Sequence, residues 1–245
     1  MTTDPFASHP ELRDQIADPL TSTLRTITTE AIARMAGEHG LPSGWWYSDE
    51  DREARRARVL AGRHGADLWV FAYGSLMWDP AIRFADVRRA FVPGYARRFI
   101  LKDVYGARGN ARSPGLMAAL DVGGGCDGLA FRIAAKDVGT ETEILWRREQ
   151  VGPAYTATFV QTEIGGATVD ALTFVADHEA EIIHPDITRD EQIRYLATGV
   201  GFMGTSMDYL RGVAAKLRAL EIRDLDVTSL LGDAEAYAAA VGDGG

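Results

Sequence analysis

The sequence predicts an α+β fold: a mixed sheet or small β-barrel with flanking helices, preceded by an N-terminal helical extension. Two observations carry this. Apolar residues of the first sixty positions recur at helical steps, whereas from Leu68 onward short β-branched and aromatic runs alternate with Gly and Pro. The later helices cluster after the strands instead of alternating with them, which argues against a βαβ sheet.

Residues 8–40 are expected to be helical, with Leu12, Ile16, Leu20, Leu24, Ile27, Ile32 and Met35 on the buried side and one break at Pro19. The turn LPSG and the Ser48-x-x-Asp51 signal then start a second helix, and Trp45 and Trp46 are expected to anchor the extension to the body. Strands are expected near 68–73, 97–101, 116–121, 128–133, 154–163 and 168–175, with a hairpin turn at glycines 123–125. Between them, Thr140-x-x-Glu143 has the form of a capping box, and Gly152-Pro153 would end its helix. Helices are expected over Arg189–Thr198 and Ser206–Leu220; the second carries Met207, Leu210, Val213, Ala214 and Leu217 on one face.

The bulk numbers narrow the function. With 245 residues, 46% of them hydrophobic and 25% charged, the chain can bury a sizeable core. A net charge of −9 argues against nucleic-acid and anionic-membrane binding, and the mixed-sign DREARRAR run (51–58) is a solvated helix face. Cys126 is the only cysteine, so no intramolecular disulfide or Cys-based zinc site can form, and it is expected to be structural. His178, His184 and Asp186 fit a loop better than a metal centre. The acidic N-terminus lacks the apolar core of a signal peptide, and no apolar run approaches the roughly 20 residues of a membrane helix. A cytoplasmic location is the expectation.

Two segments carry chemistry. In LWVFAYGSLMW (68–78) a strand stops at Gly74-Ser75, where backbone amides become free and the missing Cβ permits close approach of a ligand. In TETEILWRREQVGPAY (140–155), Glu149 shares a helix face with Leu145 and Trp146. A carboxylate there loses hydration and faces the negative end of the helix dipole, so its pKa is expected to rise toward that of a general base. The other reading, a pair with Arg148 or another Arg, stays open. The stretch from Arg108-Gly109 to Pro114-Gly115 has the form of a long turn.

Together these segments resemble the ChaC family of γ-glutamylcyclotransferases. The resemblance lies in Tyr73-Gly74-Ser75-Leu76-Met77-Trp78, in Arg108-Gly109 with Pro114-Gly115, and in Gly128-Leu129-Ala130-Phe131-Arg132 after the glycine-rich stretch. Arg148-Glu149 with Gly152 and Tyr155 follows, then Gly201, Gly204, Tyr209 and Leu210. It spans about residues 65–232, leaving 1–60 as the extension and 233–245 as a C-terminal tail.

The resemblance implies cleavage of glutathione to 5-oxoproline and cysteinylglycine, with no metal or cofactor. It puts the general base on Glu149 and the substrate-holding loop on Tyr73, Gly74, Ser75, Leu76, Met77 and Trp78, with Tyr155 as a further substrate contact. Arg98 and Arg108 are candidates for the substrate's glycine carboxylate. Related cyclotransferases place a substrate-contacting Tyr before a Pro-containing stretch, but Ile182-Ile183-His184-Pro185-Asp186 holds none. That departure keeps a second enzymatic reading open, with other γ-glutamyl peptides or amines as substrate. A non-catalytic γ-glutamyl-binding module is a third. A small molecule is the expected partner; oligomeric state is not legible.

Overall fold

The computed structural model describes residues 4–63 and 65–242; the first three residues of the extension and the last three of the tail lie outside that range. The extension begins with two 3-10 segments, Pro10–Gln15 and Thr23–Thr26, and only then forms helix α1 (Thr29–Glu38), capped by the Thr28 hydroxyl. The helix expected over 8–40 is thus broken well beyond Pro19. Prolines at 5, 10 and 19 interrupt the backbone ladder, and Leu12 and Ile16 reach the core singly, in place of a continuous helical stripe. Helix α2 (Asp49–Val59) starts at the expected Ser48, whose hydroxyl accepts from the Asp51 amide.

Strand β1 (Leu68–Ala72) leads into a 3-10 turn at Ser75–Met77. Two long strands follow, β2 (Asp86–Tyr105) and β3 (Asn110–Ile133), paired antiparallel along nearly their whole length. No turn forms at glycines 123–125: they lie inside β3, opposite a register shift between Pro93 and Tyr95. The shift marks an irregularity in the ladder, and side chains of the partner strand pack closely over the glycines. A Cβ on Gly123 would come within 2.4 Å of the Ala96 side chain, and one on Gly125 within 2.3 Å of the Phe91 ring. The glycines answer to packing rather than to a turn. Pro114 and Gly115 likewise lie in β3, so the real turn is only residues 106–109.

Helix α3 (Val138–Glu149) begins two residues before Thr140, with no side-chain cap, so the expected capping box does not form. Strands β4 (Tyr155–Ile164) and β5 (Ala167–Ala176) make a hairpin around Gly165-Gly166, both at positive φ. The five strands close into a barrel in the order β1-β3-β2-β4-β5, sealed by parallel pairing of β5 with β1. Helix α4 (Arg189–Thr198) carries a complete Thr188–Glu191 capping box. The two-residue strands β6 (Val200–Gly201) and β7 (Gly204–Thr205) then precede helix α5 (Ser206–Ala219).

Residues 233–242, expected to be a tail, form the second half of helix α6 (Leu225–Gly242), which buries Val227, Leu230 and Ala234. The main core joins all parts: Leu12, Ile16 and Leu60 of the extension share one cluster with Phe131, Trp146, Leu210 and Leu230. Among the described residues no helix is long and apolar enough to cross a membrane.

Candidate active site

The end of β1, the end of α3 and the start of α5 meet around one cavity of about 230 Å³. Helical spacing brings Glu149 there. Leu145 and Trp146 anchor α3 in the core, and Glu149, one turn on, keeps only 15% of its side chain exposed. The ion pair left open by the sequence does form: Arg148 Nε donates to Glu149 Oε1 at 2.8 Å. The same guanidinium donates to Ser75 Oγ at 2.9 Å and to the Asp79 carbonyl. Arg148 thus ties the carboxylate to the turn after β1, and Glu149 Oε2 accepts from no described residue.

Three phenols close the polar end. Tyr73 Oη donates to the Phe174 carbonyl at 2.8 Å, Tyr155 Oη donates to the Ala118 carbonyl at 3.2 Å, and Tyr209 comes in from the first turn of α5. Burial pushes the Tyr73 and Tyr155 phenols well above their ordinary range and Tyr209 to about 12, with the Glu149 charge adding to the rise. All three are therefore neutral donors at physiological pH.

Gly74 is needed for close approach, although the approaching group belongs to the protein. A Cβ at Gly74 would lie 2.8 Å from Tyr209 Oη. In the 3-10 turn that follows, Met77 N donates to the Gly74 carbonyl and Trp78 N to the Ser75 carbonyl. Those two amides are taken, which leaves Ser75 and Leu76 as the first-turn amides without an intrahelical acceptor.

The expected site residues separate. Tyr73, Gly74, Ser75, Leu76, Glu149 and Tyr155 line the cavity. Met77 is fully buried in the core, and Trp78 packs edge-on against Tyr209 with ring centroids 5.9 Å apart. Arg108 lies behind Tyr209, its guanidinium 5.8 Å from that ring, in a turn folded around Asp103. The buried Asp103 carboxylate accepts from the amides of Tyr105, Arg108 and Gly109, and burial still raises it above its ordinary range. Arg98 points away from the cavity: it pairs with Asp121 at 2.8 Å and donates to the Pro185 carbonyl.

Strand alternation explains Arg98, because the inward residue is its neighbour Arg97. Arg97 is buried and holds the Tyr73 and Asp127 carbonyls and Asp224 Oδ2, each at 2.6 Å. Arg97 and Tyr209 are the residues that sequence reasoning left without a role, and Arg148 entered it only as one possible partner of Glu149. The adjacency of Arg148 to Glu149 and the place of Tyr209 in the late motif were the available signals. Cys126 is buried with its thiol pushed up to about 11, which makes it a poor nucleophile. His178 bonds to Asp121 at 2.8 Å, and among the described residues no group of three or more His, Cys, Asp or Glu could hold a metal ion.

Residues 68–237 match the family model described as ChaC-like protein. The glutathione-specific γ-glutamylcyclotransferase of Escherichia coli is 34% identical over 191 residues, covering 76% of this chain and 80% of that protein. The glutathione-specific γ-glutamylcyclotransferase 1 of Rattus norvegicus is 31% identical over 156 residues, covering 60% of this chain and 68% of that one. In fold, the chain is similar to a crystal structure of the yeast γ-glutamyl cyclotransferase specific to glutathione. There the TM-score is 0.65 at 20% identity, over 71% of this chain and 97% of that one.

Proposed function

The chain belongs to the ChaC-like family, and from that premise we propose that it is a glutathione-degrading γ-glutamylcyclotransferase with Glu149 as general acid and base. The substrate's own α-amine attacks its γ-carbonyl, closes a five-membered lactam and expels the amine of cysteinylglycine. Nucleophile and electrophile share one molecule, so the protein needs no nucleophilic side chain. Holding the glutamyl chain folded supplies several kcal/mol of the barrier.

Two proton transfers remain. The α-ammonium must lose a proton and the leaving amine must gain one, and a single carboxylate performs both in turn. The observation that carries this assignment is the Arg148 bridge, 2.8 Å to Glu149 and 2.9 Å to Ser75, which fixes the carboxylate beside the turn after β1. The free Oε2 is then the proton-transfer atom. The Ser75 and Leu76 amides and the neutral Tyr209 phenol supply donors for the α-carboxylate and the developing oxyanion, while the Tyr73 and Tyr155 hydroxyls, which donate to the Phe174 and Ala118 carbonyls, hold the polar end in place.

Incubation of the purified protein with glutathione should release 5-oxoproline and cysteinylglycine in equal amounts. Glu149→Gln keeps shape and loses the base, so turnover should fall about 10²–10⁴-fold. Turnover near that of the unmodified protein would remove Glu149 from the mechanism.

A further inference from the structure

One wall of the cavity comes from residues that the family model does not match. Leu24, Ile27, Ile32, Met35, Leu41 and Trp45 line it, and all precede residue 68, where the match begins. The wall is firmly attached. Arg25 makes a two-pronged pair with Glu141 at 2.7 and 2.8 Å, and Ser22 Oγ donates to Asp79 Oδ2 at 3.0 Å. Trp45 stacks on Tyr105 with centroids 4.6 Å apart, and Tyr47 N donates to the Val151 carbonyl at 2.8 Å. Leu41 fills the notch above Gly106, where a Cβ would sit 2.4 Å from its Cδ1.

Ile182 and Phe202 also line this cavity. Among the described lining residues the one cation is Arg148, and its donors already serve Glu149, Ser75 and Asp79. A charged group set against this wall would lose hydration without gaining a partner, whereas an apolar group would gain by burial.

We infer that the 24–45 wall makes this protein prefer γ-glutamyl compounds whose amine half carries an apolar group. Within the glutathione frame that group is a thioether substituent on the cysteine sulfur. The inference rests on the proposed cyclotransferase activity and changes only what is accepted. The α-amine nitrogen still bonds to the γ-carbonyl carbon, the γ-amide C–N bond breaks, and the leaving amine takes the proton. The sulfur and its substituent take no part.

The test compares kcat/KM, read as 5-oxoproline release, for glutathione, S-hexylglutathione and γ-glutamylleucylglycine. S-hexylglutathione should exceed glutathione about tenfold or more, the effect of burying roughly two methylene groups. A gain for the leucyl peptide as well would extend the preference to any apolar side chain. In Ile27→Ser and in Met35→Ser, both half-buried positions, the ratio of S-hexylglutathione to glutathione should fall at least about fivefold. A ratio is read because partial unfolding lowers both rates alike. S-hexylglutathione at or below glutathione, or a ratio that neither variant moves, overturns the inference. Calorimetric binding to Glu149→Gln separates this from failure of the activity. Tighter binding of S-hexylglutathione with no turnover by the unmodified protein keeps the wall and removes the reaction; equal or weaker binding removes the wall.

Discussion

Gly74 and Tyr209, far apart in sequence, define each other's place. The strand-end glycine is legible as a point of close approach, but the approaching group is a phenol at the start of α5, 2.8 Å from where a Cβ would stand. Gly74→Ala should therefore displace the Tyr209 hydroxyl and, with it, the donor geometry around Glu149. Misplacement on the ångström scale is enough to lower turnover about 10²-fold. Circular dichroism should stay unchanged while 5-oxoproline release falls; retained release would show that the contact has no bearing on the chemistry. Arg97 and Arg98 of β2 teach the converse. Adjacent in sequence, they point to opposite faces, and the buried Arg97 rather than Arg98 braces the Tyr73 carbonyl.

At the scale of elements, α3 does two jobs from its two ends. Its C-terminal turn presents Glu149, and its first turn buries Glu141, which is 2% exposed and bonded to Arg25 and to the Arg83 amide. Removing one partner of such a pair leaves the other charge buried and unpaired. Glu141→Ala should thus lower stability by about 3–5 kcal/mol in denaturant unfolding. A change below about 1 kcal/mol would mean that Arg25 is satisfied by the Ala81 carbonyl it also bonds. Periodicity placed α4, α5 and the β4–β5 hairpin nearly at their observed bounds, because each has a clear cap or turn. It shortened β2 and β3 and put a turn at 123–125, because a glycine that admits a neighbouring side chain reads the same as one that turns the chain.

Across the whole molecule, the extension joins the barrel's core and is also gripped by α5. Lys216 on that helix is 5% exposed and donates to the Gln15 carbonyl, and burial lowers its amine to about 8. In the unfolded chain the amine keeps its proton up to about 10.5. Between those two values the unfolded state binds more protons, so this group makes stability rise with pH there; below about 8 its full penalty is present. Denaturant unfolding at pH 7.5 and pH 9.5 should show the rise, and Lys216→Met should abolish it. An identical slope in both proteins would show that Lys216 is already neutral, or already hydrated, in the folded chain.

The sequence by itself determined the fold class, the family, the YGSLMW turn and the nomination of Glu149. These rest on local periodicity and on short motifs whose residues lie within a few positions of one another. Tertiary structure alone decided which arginine faces inward, that Tyr209 and Arg148 complete the polar end, and that residues 24–45 wall the cavity. Those facts depend on barrel closure and on the docking of distant segments, which bring together groups whose separation along the chain carries no record of their contact.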